Sequence, residues 1–202
     1  MRVSRIAVLA LAEGFCRLAV AGSPPPELPD IDIKNTQSNV QPATGLTLGT
    51  FKVTFETTTF ANIANVSPAP LGQQGDAGGF VMWVCFTLTE ERQRVWLTSS
   101  ELGGQKVING ASAQVLVQGA APTSDCPELP SQFKPVQLDS GVWLGSSIDE
   151  LQRKLGPPTT GDRVAYFAHL AKDRDNDVMS TLVVRLKDQR VEMLQAGHTT
   201  TN

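Results

Sequence analysis

Asp173, Asp175 and Asp177 alternate along the chain as the first ligands of a calcium-binding loop do. An EF-hand loop also needs glycine at its sixth position and a bidentate glutamate at its twelfth. This sequence has Val178 and Val184 at those two places. The acidic run therefore predicts a solvated hairpin turn and no metal site.

Ser131 and Lys134 have the Ser-x-x-Lys spacing of penicillin-recognising acylases. That chemistry requires a serine at the start of a helix and a lysine one turn later. Here Pro130 and Pro135 bracket the four residues, and the companion Ser-Asp-Asn and Lys-Thr-Gly motifs do not occur in the sequence. The segment is therefore better interpreted as part of a linker.

The two histidines, His169 and His198, give little support to general-base or metal chemistry. His198 lies in the C-terminal tail, and His169 has no nucleophile elbow or other recognisable partner near it in sequence. Neither Cys85 nor Cys126 has a Cys-x-x-Cys partner or a nearby histidine, which disfavours zinc ligation and redox catalysis. We therefore expect no catalytic residue, no metal and no cofactor, and a protein that is not an enzyme.

Four aromatic side chains are the better candidates for a function, as anchors for a protein partner. They are Trp83, Trp96 and Tyr166 on predicted strands and Trp143 just before a predicted helix. On an open sheet face such rings would be exposed and could contact a partner. Packing in the core beneath the helices is the alternative for each of them. Because side chains alternate between faces along a strand, only some can point away from the helices.

The elements that must position these rings are a capped helix and several strands. Ser147 and Glu150 form a Ser-x-x-Glu capping box, and Gly156 ends the helix predicted for Ile148 to Leu155. Alternation or continuous apolar character predicts strands at 51–55, 80–88, 95–97, 164–167, 181–186 and 191–194.

Several short motifs occur twice in one order, which indicates an internal duplication. Pro26-Glu27-Leu28-Pro29 recurs as 127–130, and Gly45-Leu46-Thr47-Leu48-Gly49 is echoed by 141–145. A Gly-Asp pair at 75–76 is matched by a second at 161–162. The sequence therefore predicts an α+β fold in which two tandem helix-plus-antiparallel-meander repeats form one shared sheet. The predicted divisions are a signal peptide (1–21), a proline-rich extended arm (22–45), a first α+β repeat (46–120), a proline-rich linker (121–140) and a second α+β repeat (141–202).

The stretch from Leu144 to Leu194 resembles a known small envelope module. It has Leu-Gly-Ser-Ser, an amphipathic helix ending in Leu-Gly-Pro-Pro at 155–158, the aromatic pair Tyr166-Phe167, and an apolar meander from residue 182. This pattern is similar to the units of the β-lactamase inhibitory protein and of the small outer-membrane assembly lipoproteins related to it in fold. The resemblance implies a tandem helix-plus-sheet repeat that binds another protein on a concave sheet. The first copy departs from it, since a strand precedes its helix and no Gly-Pro-Pro follows.

The first 21 residues predict a secretory signal. Arg2 and Arg5 precede the apolar run 6–12, and Ala19-Val20-Ala21 supplies small residues for cleavage before Gly22. A disordered cytosolic leader is the alternative, because charged residues interrupt the apolar stretch. No run approaches the roughly 20 apolar residues of a transmembrane helix. We therefore expect a periplasmic or secreted protein without a membrane anchor.

Signal cleavage would change both the charge and the cysteine count. It removes three of the 17 basic residues and one of the 20 acidic residues, so 14 and 19 remain, a formal charge of −5. Such a surface repels nucleic acid and anionic lipid. Cleavage also removes Cys16 and leaves Cys85 and Cys126, which predicts one disulfide in an oxidising compartment, with two buried thiols as the alternative.

These observations favour an exported, non-enzymatic binding module that inhibits or scaffolds another envelope or extracellular protein. A periplasmic hydrolase of unknown substrate and a purely structural envelope component are the alternatives.

Overall fold

The computed structural model describes residues 23–28, 40–76, 79–101, 106–161 and 163–201, without the side chains of residues 160 and 161. The predicted signal peptide and half of the predicted arm lie outside these ranges. Within them the chain forms two antiparallel sheets and two short α-helices. The smaller sheet contains β1 (Gly45–Leu48), β2 (Phe51–Thr54) and β7 (Val136–Leu138), in the order β2-β1-β7.

The larger sheet has eight strands that come from two parts of the chain. The first part supplies β3 (Gly72–Gln74), β4 (Val81–Leu88), β5 (Gln93–Ser100) and β6 (Gly110–Val115). The second supplies β8 (Thr159–Gly161), β9 (Val164–Asp173), β10 (Asn176–Lys187) and β11 (Arg190–Thr201). Their order is β3-β4-β5-β6-β11-β10-β9-β8, so the two groups meet where β6 pairs with β11.

The main hydrophobic core lies between one face of the larger sheet, the smaller sheet and the helices. Its sheet residues alternate with residues of the opposite face, as expected for strands that bury one side. We call this cluster the main core. Its fully buried large side chains include Leu46, Leu48, Ile63, Phe86, Leu97 and Phe167.

Both α-helices are short, and each begins at a hydroxyl side chain that caps it. Helix α1 (Phe60–Val66) starts after Thr59, which forms a reciprocal capping box with Asn62. Helix α2 (Ile148–Leu155) starts after Ser147, whose Oγ accepts a hydrogen bond from the backbone N–H of Glu150. The bounds of α2 confirm the sequence prediction. Neither of these helices has the length and hydropathy that a bilayer crossing would need.

The acidic run is a hairpin turn, as predicted. Strand β9 ends at Asp173 and β10 begins at Asn176, with Arg174 at φ 59° between them. The side chains at the tip are exposed. The same sharp reversal recurs between β10 and β11, where Asp188 and Gln189 both have positive φ.

The predicted α+β class, with two tandem helix-plus-meander repeats in one shared sheet, is wrong. The described part of the chain contains eleven strands and two helices of 7 and 8 residues, so the fold is mostly β. It also has two sheets, because β7, from the segment interpreted as a linker, pairs with β1. Strands β1 and β7 bury apolar side chains against part of the core that longer helices would have covered in the predicted fold. The duplication itself stays a prediction.

Candidate functional site

The larger sheet has an inner face, which packs in the main core, and an outer face on the opposite side. Val84 on β4 and Leu97 on β5 are buried in the main core. Their neighbours Trp83 and Trp96 therefore point the other way, because side chains alternate along a strand. These two tryptophans lie on the outer face.

One row of cross-strand neighbours on the outer face joins two of the predicted anchors. In strand order from β5 to β9 the row contains Trp96, Ser112, Gln195, Val183 and Tyr166. The two aromatic residues are four strand spacings apart, roughly 19 Å. The outer face thus carries predicted anchors from both groups of strands.

The aromatic rings of the outer face are buried, although they point away from the main core. The exposed fraction is 1% for Trp83, 1% for Trp96 and 3% for Tyr166. Burial raises the pKa of the Tyr166 phenol above its usual value, and its oxygen has no hydrogen-bond partner among the described residues. The rings are therefore not accessible to a partner in this arrangement of the chain.

Trp143, the fourth predicted anchor, belongs to the main core. Its exposed fraction is 9%, and its indole N–H donates a hydrogen bond to Oε1 of Gln93 at 2.9 Å. A ring that is packed inward and satisfied in this way stabilises the fold. Core packing, the alternative stated for these aromatic residues, is the arrangement found for Trp143.

A glycine on the edge strand makes room for the ring of Trp83. Gly72 lies opposite Trp83 across the β3–β4 pair. A Cβ atom on Gly72 would come within 2.4 Å of two atoms of the indole ring. The ring therefore lies directly across the backbone of β3, and a side chain at residue 72 would displace it.

The predicted disulfide joins Cys85 to Cys126, and it lies in a small cluster with Trp83 and Trp96 on the outer face. Both cysteines are fully buried. The chain after Cys126 is also bound to the sheet, since Thr87 exchanges backbone hydrogen bonds of 2.8 Å with the residues at 127 and 129. The disulfide and these bonds together fix residues 126–129 against β4.

Lys134 is part of an ion-pair cluster and does not act with Ser131. Its ammonium contacts Glu128 at 2.9 Å and Glu91 at 3.1 Å. Burial alone would lower the pKa of Lys134, but the hydrogen bonds to these carboxylates raise it. The cluster ties the linker to the β4–β5 turn, consistent with the interpretation that the Ser-x-x-Lys match is not catalytic.

Residues Ser23–Leu28, which we call the arm segment, lie against the outer face. The backbone N–H of Ser23 donates to Oδ2 of Asp125 at 2.7 Å, and its hydroxyl donates to the same oxygen at 3.0 Å. The carbonyl of Ser23 accepts a hydrogen bond from the indole N–H of Trp96 at 2.9 Å. One residue of the arm is therefore held by three hydrogen bonds next to the disulfide cluster.

Neighbouring hydrogen-bond donors keep the carboxyl group of Asp125 ionised, and it acts as an acceptor. Hydrogen bonds from the side chain of Thr123 and from the backbone N–H of Ser23 lower its pKa to about 2. The carboxylate is therefore charged at neutral pH. It precedes Cys126 directly, so the disulfide fixes its position on the sheet.

A groove of about 1160 Å³ runs across the outer face beside the arm segment. Its floor crosses β6 and β11 at Gly110 and Gly197, which are opposite each other and carry no side chain. A Cβ atom on Gly110 would come within 2.9 Å of the carbonyl oxygen of Ala196. Trp83 and residues 24–28 of the arm segment line its sides. Its other polar lining residues are Gln74, Thr98, Ser100, Asn109, Gln195 and Thr199.

A second polar cluster lies on the inner face, around His198. Ser180 Oγ is 2.6 Å from Nδ1 of His198, and Nε2 of His198 is 3.7 Å from the carboxylate of Glu56. The side-chain amide of Gln41 donates to Ser180 Oγ at 2.9 Å. Glu56 also accepts hydrogen bonds of 2.7 Å from the backbone and hydroxyl of Thr200. The cluster joins β10 and β11 to the segments around the smaller sheet.

The residue types of this cluster are those of a Ser-His-Glu triad, but its geometry does not suit nucleophilic catalysis. Ser180 has an exposed fraction of 0%, so a substrate carbonyl has no access to its oxygen. The serine also contacts Nδ1 of His198 and the carboxylate lies near Nε2, the reverse of the usual triad. His169 lies opposite Ser180 on β9, beside this same cluster.

No protein-family model and no curated protein sequence matches the chain. A solved structure with some similarity is that of a Streptococcus mutans protein described as a "putative beta-lactamase inhibitor protein". The sequences are 9% identical, and the alignment covers 78% of this chain and 91% of that chain with a TM-score of 0.23. A similarity of this size supports no transfer of fold or function. The resemblance inferred from the sequence therefore stays a prediction.

Sequence reasoning missed both polar arrangements. Ser23 and Asp125 are 102 positions apart, and Ser180 and His198 meet only because β10 and β11 pair. The one usable signal was the proline run of the arm, which predicts an extended conformation but not its place on the sheet. Among the described residues, no group of three or more His, Cys, Asp or Glu side chains is placed to hold a metal ion.

Replacing Ser180 with alanine is expected to lower the free energy of unfolding by about 1–3 kcal/mol. The change leaves the amide of Gln41 and Nδ1 of His198 without their shared buried partner. Urea denaturation would measure the loss. Ser112→Ala is a matched control, because Ser112 is equally buried but its hydroxyl has no partner among the described residues. Equal midpoints for the two variants would contradict a stabilising role for the cluster.

Proposed function

We propose that the protein is an exported, non-enzymatic binding module that contacts another envelope or extracellular protein across the outer face of its larger sheet. The observation that carries this proposal is the groove of the outer face, beside which an extended segment of the chain already lies. Binding there would inhibit the partner by occlusion or hold it in an assembly.

The dimensions of the groove favour a polypeptide as its occupant. Its lining residues come from five adjacent strands, β3, β4, β5, β6 and β11, which together are roughly 19 Å across. Pockets for small molecules commonly have volumes of about 300–1,000 Å³. The groove is larger and open along one side, and its glycine floor allows a backbone to approach the sheet closely.

The chemistry of the lining supports the same kind of partner. Gln74, Thr98 and Gln195 offer uncharged donors and acceptors, which suit a polypeptide backbone and polar side chains. The net negative charge expected after signal cleavage disfavours nucleic acid and anionic membranes as partners.

Export is supported by the disulfide and by the signal pattern. Disulfides persist in oxidising compartments and are uncommon in the cytosol. The hydrolase alternative has less support, because the one serine-histidine-carboxylate arrangement described has an inaccessible serine.

A pair of matched substitutions tests the proposal. Gln195 is exposed on the outer face and Gln152 is exposed on α2, so neither Gln→Arg change should alter stability by more than about 0.5 kcal/mol. Proteins captured from envelope extracts by the unmodified chain would be identified by mass spectrometry. The binding of each purified candidate to the variants would then be measured.

A partner of the outer face should bind Gln195→Arg at least about tenfold more weakly, since a bulky charge would occupy the centre of the interface. Its affinity for Gln152→Arg should be unchanged. A partner that binds both variants equally would show that the outer face is not the binding surface.

A further inference from the structure

We propose that the outer-face groove recognises an extended proline-rich segment of the partner, and that the arm segment occupies this recognition site in the free protein. This inference rests on the proposed function and names the class of partner segment. It would make Trp83 and Trp96 part of the contact once the arm segment has left.

The contacts of Ser23 give the site its polar anchor. Asp125 accepts from both the backbone N–H and the hydroxyl, and the indole of Trp96 donates to the carbonyl of the same residue. Two of these three contacts are made to the backbone, so another extended segment could make them equally well. Hydrogen bonds to a charged acceptor are stronger than those between neutral groups. The site is therefore built for the residue that precedes a proline run.

The prolines that come after Ser23 are well matched to a groove that offers few backbone groups for strand pairing. Pro24, Pro25 and Pro26 have no backbone N–H, so they leave no donor unsatisfied where the segment lies on the sheet. Consecutive prolines are also already extended before binding, which reduces the entropy lost when the segment docks. Grooves lined by aromatic residues recognise proline-rich segments for this reason. The tryptophans of the outer face supply such a surface next to the arm segment.

The arm segment fills its site incompletely. Pro25, Pro26 and Leu28 are half-buried, whereas Pro24 and Glu27 are exposed. About 1160 Å³ of groove remains beside it, over Gly110 and Gly197. A partner segment that reaches this floor would bury more surface than the arm does. It could therefore displace the arm in spite of the advantage that a covalent connection gives.

That advantage predicts how binding should respond to release of the arm. A flexible connection commonly gives an effective concentration of about 1 mM. A free peptide that binds an open site with a Kd of about 10 μM would then bind the occupied site about 100-fold more weakly. Opening the site should restore the affinity.

The test uses a synthetic peptide with the sequence of residues 22–29, labelled at its C-terminus, and the full exported chain. Ser23→Pro removes the N–H and hydroxyl that the arm donates to Asp125, and it changes none of the sheet residues that line the groove. Fluorescence anisotropy should show at least tenfold tighter peptide binding by Ser23→Pro than by the unmodified chain. The double variant Ser23→Pro/Asp125→Asn should lose most of that gain, because the peptide then lacks its charged acceptor.

Peptide affinity that is equal for the unmodified chain and Ser23→Pro, or absent from both, would overturn the proposal. If the unmodified chain forms a dimer that Ser23→Pro does not form, the occupant is the arm of a second copy, which also overturns it. If the peptide fails but Gln195→Arg still releases the captured partner, the proposed function stands with a different class of partner segment. If the peptide binds as expected while Gln195→Arg has no effect on the partner, the proposed function fails instead.

Discussion

Replacing Trp83 with alanine is expected to lower the free energy of unfolding by about 3–5 kcal/mol. The ring has an exposed fraction of 1% and packs in one cluster with Trp96 and the disulfide. The ring also lies directly against the backbone of Gly72. Glycine has no side chain that could move into the cavity left by the ring. The loss should be visible as a lower midpoint in urea denaturation.

Trp83→Phe is the matched control for this variant. The indole N–H of Trp83 has no hydrogen-bond partner among the described residues, so phenylalanine loses volume but no hydrogen bond. Its cost should be less than half that of the alanine variant. A Trp83→Ala chain with unchanged stability would contradict the buried position and restore the interpretation of Trp83 as an exposed anchor.

Removing the disulfide with the double variant Cys85→Ala/Cys126→Ala is expected to cost about 4 kcal/mol. The two cysteines are 41 positions apart, and opening a loop of this length returns chain entropy to the unfolded state. The same change should loosen the arm segment, because Asp125 would no longer be held beside a fixed neighbour. Denaturation of the variant would measure the first effect, and proteolysis within residues 23–28 the second.

Reduction provides the control for this prediction. Dithiothreitol should destabilise the unmodified chain by about the same amount and leave the double variant unchanged. An intact mass of the purified protein that shows Cys85 and Cys126 as free thiols would contradict the prediction, since there would be no disulfide to remove.

Local signals sufficed for some elements and failed for others. The bounds of α2 followed from Ser147, Gly156 and the spacing of Leu151 and Leu155, all within ten residues of one another. Strand β7 could not be predicted in this way, because its partner β1 lies about 90 positions earlier. Its three residues alternate apolar and polar side chains, but so short a run gives no reliable periodic signal, and pairing with Leu46 and its neighbours makes it a strand.

The candidate site shows the same limit. Alternation indicated that only some of the aromatic rings could point away from the helices, but not which of them. The disulfide was predictable because the predicted signal cleavage leaves two cysteines. The arm segment could not be placed, because its contacts at Ser23 depend on Asp125, a residue with no distinguishing sequence pattern. Composition indicated an extended segment, and tertiary contacts decided where it lies.

The position of β11 has a consequence for the order of assembly. It is the last described strand, yet it lies in the middle of the larger sheet, between β6 and β10. Pairing of Ala113 with Leu194 must bring together residues about 80 positions apart, and such distant pairings form slowly. The two strand groups therefore cannot join until the C-terminal strand has been made. Until then the edge of β6 that β11 covers has no partner, and unpaired strand edges of this kind are prone to pair with other chains.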